Sequence, residues 1–174
     1  MERAMTERTE ITGTVADLNG EPHLVLSRTL DGRASDVWLD LTDSDRLGRW
    51  IGHWEGDPSS GTVQFFMTAE ANDPRPERCT ILQCDPPRRF ACETSVEGDA
   101  WYLWFELAEA GGTTTLTFGQ RLNPTDDVGS IGPGWEYYLD RLEAVRAGRD
   151  TSTVAWGDYF PALQPAYLRL VASG

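Results

Sequence analysis

Five alternating stretches follow one another with very short connections: Thr62 to Glu70, Arg78 to Cys84, Arg89 to Ser95, Ala100 to Ala108 and Thr113 to Leu122. The connections are turn formers: Asn72-Asp73-Pro74-Arg75-Pro76, Asp85-Pro86-Pro87, Glu97-Gly98-Asp99 and Ala110-Gly111-Gly112. Parallel neighbours need a crossover of about a dozen or more residues, so linkers this short dictate an antiparallel meander. In the fourth stretch, alternation sets Trp101, Leu103, Phe105 and Leu107 on one face and Tyr102, Trp104 and Glu106 on the other. The first face is built for a core. On the second, Tyr102 and Trp104 are expected to point outward, toward another surface such as the C-terminal tail or a second subunit.

Two further alternating stretches lie in residues 11–30, around Asn19-Gly20, the dipeptide most typical of a tight hairpin turn. Between hairpin and meander, Ala34 to Leu47 carries Val37, Trp38, Leu41 and Leu47 at helical spacing, with Asp31 or Ser35 available as N-cap. Thr42-Asp43-Ser44-Asp45 interrupts that run and predicts two short helices in succession. Arg46 to Trp54 then leads into a loop, Gly56 to Gly61.

After the meander, Gly132-Pro133-Gly134 predicts the opening of a long helix running to about Ala147, with Gly129 to Gly134 as a flexible lip. Its apolar stripe is Trp135, Tyr138, Leu139, Leu142 and Val145; Glu136, Asp140, Arg141, Glu143 and Arg146 are expected to face water. The tail from Val154 to Leu170 is too aromatic for a disordered end and predicts a short helix beginning near Pro161. Strands, short helices, a meander and one long amphipathic helix make an α+β order in which a curved sheet can wrap the helix.

With 174 residues, the chain reads as one domain, residues 1–174, with a core of about 10–148 and an extension, 149–174, packed on it or on a second subunit. There are 28 acidic against 15 basic side chains, all of the latter arginine, for a net charge of −13. Such a surface repels phosphate backbones and disfavours nucleic acid. Met1 to Thr12 lacks the apolar core of a signal peptide, and no apolar run approaches the roughly 20 residues that span a bilayer; a cytoplasmic protein without membrane insertion is the expectation. Cys79, Cys84 and Cys92 form no C-x-x-C pair and read as small buried hydrophobes. Two isolated histidines and scattered cysteines predict no metal, and no nucleotide-binding glycine motif is present, so no cofactor is expected. Asp43, Asp45, Asp126, Asp127 and Asp140 read as solvated surface charge.

Four segments carry a family resemblance. Asp36 to Gly52 holds Val-Trp, Leu-Thr-Asp, Leu and Trp at a characteristic spacing; Pro87-Arg88-Arg89-Phe90, the strand from Gly111 to Phe118, and Gly134 to Leu142 follow in the same order. Together they resemble the bacterial branch of proteins similar to the activator of heat-shock-protein ATPase, within the START and polyketide-cyclase (SRPBCC) superfamily, over roughly residues 10 to 148. The resemblance implies a helix-grip fold whose sheet and long helix enclose a cavity that often takes a hydrophobic or amphipathic ligand. Members include lipid carriers, hormone receptors, cyclases, hydratases and co-chaperone domains, so the fold does not choose among them.

If the last helix grips the sheet, the inward faces line the space between. That logic selects Phe65, Met67, Trp101, Leu103, Phe105, Leu116 and Phe118 from the strands, Trp135, Tyr138, Leu139 and Leu142 from the helix, Trp50 beside them, and Gln120 as a polar group able to orient a ligand. Tyr138 and His53 are the weak candidates for proton transfer. Apolar wall residues are plentiful and catalytic groups scarce, which favours binding of a hydrophobic small molecule without catalysis. A cyclase or hydratase on the same scaffold, and a co-chaperone-like interaction module, are the alternatives; a homodimer or a protein partner stays open.

Overall fold

In the computed structural model, which describes residues 10–68, 75–96 and 99–172, eight strands form one antiparallel sheet. Chain order gives β1 (Thr14–Leu18), β2 (Glu21–Asp31), α1 (Ala34–Thr42), α2 (Ser44–Leu47), β3 (His53–Glu55), β4 (Thr62–Phe66), β5 (Glu77–Asp85), β6 (Arg89–Val96), β7 (Asp99–Ala110), β8 (Thr113–Arg121), α3 (Val128–Arg146) and α4 (Gln164–Ala172). The sheet order is β1-β2-β8-β7-β6-β5-β4-β3. The hairpin β1–β2 therefore joins the end of the meander, and α1 and α2 carry the chain across to the far edge. The curved sheet and the long helix laid on it make this an α+β helix-grip fold. Ala69, Glu70, the Asn72-Asp73-Pro74 turn and Glu97-Gly98 lie outside the described residues, as does most of the amino-terminal segment.

Local chemistry explains most boundaries. Asn19 and Gly20 both take positive φ, 56° and 85°, as the primed hairpin turn requires. The break between α1 and α2 falls at Asp43, whose carboxylate accepts from the Arg46 backbone N–H at 3.2 Å. Neither Asp31 nor Ser35 caps α1: Arg33 occupies that position without a side-chain bond, and Glu109 of β7 reaches over to accept from the Ala34 N–H at 2.8 Å. The strand β3 emerges where the sequence predicts only a lead into a loop. It is three residues long, and Ser44 holds it by bonding both the N–H and the carbonyl of Trp54.

The long helix opens at Val128 rather than Gly132, with Asp127 accepting from Gly129 N–H at 3.1 Å and from Ser130 Oγ at 2.6 Å. The glycines that suggest a flexible lip lie inside its first turns. Gly132 meets the flat of the Tyr167 ring from α4, where any Cβ would overlap that ring. Absence of a side chain here lets two helices approach closely. Asp127 and Asp43 thus serve as caps, and Asp126 closes a turn on the Asn123 N–H at 2.7 Å.

Two other expectations about faces are corrected. Trp104 does not look outward to solvent: it is 6% exposed, lies over Gly119 of β8, donates its indole N–H to His23 Nδ1 at 3.1 Å, and carries the Arg89 guanidinium on its ring. Gly119 must be glycine for the indole to lie there, because a Cβ would enter the ring. Tyr102 beside it is half-buried under Arg121. Glu136 does not face water either; it is 0% exposed. Alternation along β2 explains why: Leu24, Leu26, Arg28 and Leu30 share the inner face, so a guanidinium sits in the core row. Arg28 Nη2 meets Glu136 at 3.0 Å and Asp140 at 3.1 Å, and its Nε meets Glu143 at 3.2 Å; the three carboxylates are one turn apart on α3. Glu136 also accepts from the Thr12 N–H and hydroxyl and from the Tyr167 hydroxyl, and Asp140 from Tyr159. Burial pushes the Glu143 carboxyl up from its ordinary value, with Arg28 opposing and Asp140 adding to the rise. Burial, with the Glu136 charge, raises the Tyr167 phenol.

Arg28→Met strands a buried carboxylate and should cost about 3–5 kcal/mol of unfolding free energy. Glu136→Gln keeps the shape and leaves Arg28 beside Asp140 and Glu143, so it should cost less; equal losses in denaturant titrations would show that the stranded carboxylate is not the source of the Arg28→Met loss. A second consequence concerns His23, whose imidazole is held below its ordinary pKa of 6.5, chiefly by desolvation. Its unprotonated Nδ1 accepts the Trp104 bond, and a depressed folded pKa means that the unfolded chain binds the extra proton first. Stability should therefore be intact above about pH 6.5 and fall as pH drops toward the folded value. In His23→Gln the loss of stability between pH 7.5 and 5.5 should be smaller than in the wild type.

Candidate ligand cavity

Between the concave face of the sheet and α3 lies a cavity of about 810 Å³. Strands β4 to β8 supply one wall, where Phe65, Cys79, Cys92, Leu103, Phe105 and Phe118 face inward. The opposite wall is α3, through Ile131, Trp135, Tyr138 and Leu139. Trp38, Leu41 and Leu47 of the short helices, with Trp50 and Trp54, close one end; Trp156 of the tail stands at the margin, stacked on Phe160 and edge-on to Tyr137.

The indoles are held by their polar ends. Trp50 donates its ring N–H to Asp40 O at 2.8 Å, Trp54 to Thr42 O at 2.8 Å, and Trp135 to Gln120 Oε1 at 2.7 Å. With these three N–H groups satisfied by protein, their rings offer carbon to the interior. Two of the few wall hydroxyls are also spent, Thr42 on Trp38 O and Ser130 on Asp127. Such a space can hold an apolar or aromatic molecule by burial and shape, with little to polarise it.

Eleven of the residues expected from the sequence lie on this wall: Trp50, Phe65, Met67, Trp101, Leu103, Phe105, Leu116, Phe118, Trp135, Tyr138 and Leu139. Two do not. Leu142 is 0% exposed and lies a turn beyond, in the packing between α3 and the sheet. Gln120 is also fully buried; its Oε1 is taken by Trp135, and its Nε2 has no hydrogen-bond partner among the described residues. His53 stands outside the wall, stacked on Phe66 at 5.0 Å with Nε2 3.2 Å from Glu55. Tyr138 and His53 are thus not brought together.

Sequence reasoning misses Trp38, Leu41 and Trp54, and the thiols. The first two had a signal, an i, i+3 apolar pair on α1; Trp54 had none, because the three-residue β3 shows no alternation long enough to read. Cys79 and Cys92 are buried as expected, whereas Cys84, beyond a register shift between Ile81 and Gln83, is exposed although it also lines the cavity. Among the described residues no group of three His, Cys, Asp or Glu side chains gathers as a metal site, and no helix is long and apolar enough to cross a membrane.

Residues 31–147 match the protein family described as "Activator of Hsp90 ATPase homolog 1-like protein". No curated protein matches the chain. Among solved structures, CalU16 from Micromonospora echinospora is similar at 23% identity and a TM-score of 0.70, over 94% of this chain and 98% of that one. A conserved protein of unknown function from Enterococcus faecalis is 18% identical at a TM-score of 0.69, over 92% and 91%. DynU16, from the dynemicin biosynthetic locus, is 18% identical at 0.65, over 74% of this chain and 49% of that one. At these identities the structures testify to the fold.

Proposed function

The chain belongs to the Activator of Hsp90 ATPase homolog 1-like family, a branch of the SRPBCC superfamily, and from that premise we propose that it binds a hydrophobic or amphipathic small molecule between α3 and the sheet without transforming it. The observation that carries this reading is the cavity of about 810 Å³. Drug-sized ligands occupy pockets of about 300–1,000 Å³ that are mostly apolar with few polar groups. On this reading all thirteen residues above contribute: eleven as wall, Leu142 as the packing that supports α3, and Gln120 as the polar handle. A ligand acceptor atom would satisfy Gln120 Nε2 once Trp135 turns aside, which removes the cost of leaving that donor buried and alone. The tail, residues 149–174, belongs to the same domain and shapes the mouth through Trp156.

The other readings have less support. A cyclase or hydratase needs convergent proton-transfer groups, and His53 lies away from Tyr138 and the wall. An interaction module leaned on an outward Trp104, which is covered within the chain. A structural neighbour from a biosynthetic locus also fits a small-molecule ligand better than a protein partner.

Native mass spectrometry of the purified protein, and titration with 1-anilinonaphthalene-8-sulfonate, test the proposal. Leu103→Trp places a large side chain in the cavity and should weaken dye binding by about tenfold or more, near 1.4 kcal/mol, with the thermal transition retained. Unchanged dye affinity in a folded Leu103→Trp protein would place the dye elsewhere and refute the cavity as binding site.

A further inference from the structure

We propose that Cys79 and Cys92 form a thiol pair in the cavity wall that captures hydrophobic electrophiles covalently, with Cys79 adding to α,β-unsaturated carbonyl compounds. The proposal rests on the cavity reading above and names a chemical class of occupant.

Placement comes first. Cys79 on β5 pairs in register with Thr94, and Ile81 with Cys92 on β6, so the two cysteines lie diagonally on adjacent strands. Period-2 alternation sends Cys79, Ile81, Cys92 and Thr94 to one face, and all four line the cavity. Cys79 is 9% and Cys92 5% exposed, both are free, and the β5–β6 register makes them neighbours. Val63, Phe65, Phe90 and Leu103 pack around them. A reagent reaches these sulfurs by occupying the cavity, which concentrates apolar molecules against them.

Their neighbourhood also divides the labour. The adjacent Cys92 thiol lowers the Cys79 thiol from its ordinary value, although burial and the Glu77 carboxylate push the other way. Cys92 is raised, through Cys79 and its own burial, with Glu93 adding to the effect. Cys79 is therefore the nucleophile and Cys92 the proton-holding partner, since the thiolate is the reactive form. In the addition, the Cys79 sulfur forms a C–S bond to the β-carbon as the C=C π pair moves onto the carbonyl oxygen. The Cys79 proton leaves to solvent when the thiolate forms, the Cys92 S–H protonates the α-carbon, and Cys92 regains a proton from solvent. Net, S–H adds across C=C, and no oxidant, reductant or metal is consumed.

The test uses the full chain carrying Cys84→Ser, which removes the exposed thiol, and N-(1-pyrenyl)maleimide as probe. Intact-mass analysis with peptide mapping should show one adduct, at Cys79, formed about tenfold or more faster than with N-methylmaleimide, which carries the same reactive group without the apolar body. Cys79→Ser should abolish the adduct, while Cys92→Ser should slow it. N-(1-pyrenyl)succinimide, unable to react, reports binding by fluorescence and confirms that each variant is folded. Succinimide binding without an adduct at Cys79 overturns the thiol proposal and leaves the cavity standing, as does equal reactivity of both maleimides. Failure of the succinimide to bind refutes the cavity reading and, with it, this one.

Discussion

A single guanidinium sets the position of everything above the sheet. Arg28 occupies a core-facing site on β2 that leucines fill on either side, and three carboxylates of α3 converge on it. A lone buried charge would be prohibitive, so the helix can dock only in the register and rotation that bring Glu136, Asp140 and Glu143 to Arg28. The same carboxylates then gather Thr12 ahead of β1, Tyr159 of the tail and Tyr167 of α4. Segments more than a hundred residues apart thereby meet at one point. Hydrophobic burial drives the assembly, but it is non-directional; the ionic cluster supplies direction.

Because that fastening lies toward the C-terminal half of α3, the other half has freedom to stand off the sheet. Leu142 and Leu139 close the packing near the cluster, while Ile131 and Trp135 face open volume. The short helices then wall the end of that volume, and the indoles of Trp50 and Trp54 are immobilised on the α1 carbonyls of Asp40 and Thr42 rather than by one another. Arg146 reinforces this side from the far end of α3 by pairing with Asp40 and Asp36 of α1. An interior that would collapse if its walls were free is thus held apart by hydrogen bonds anchored outside it.

The architecture was legible where a pattern was longer than its interruptions. The meander, the Asn19-Gly20 hairpin and the split of α1 from α2 followed from alternation and turn chemistry, and most of the cavity wall followed from asking which residues face inward. Glu136, Asp140 and Arg28 were not legible as a group, because a charged residue on a helix belongs to the solvent face unless its partner is known, and Arg28 lies 108 positions from Glu136. Trp104 was misjudged for a related reason: alternation gives the face, but a convex face can carry its own cover, here Gly119, His23 and Arg89. Gly132 reads as part of a flexible lip because sequence cannot show the Tyr167 ring lying against it.

Trp135 both touches Phe118, at 4.4 Å between rings, and bonds Gln120 across the space separating α3 from β8. It acts as a strut, and its rotamer sets how much of the interior is void. Side-chain torsions fall into discrete wells, so the volume on offer changes in steps rather than continuously. Sequences that keep the ionic fastening while exchanging this strut would keep the architecture and alter what fits inside. Under the proposed binding role, substitution at one helical position would change which molecule the interior accepts, with strands, loops and the anchoring cluster untouched.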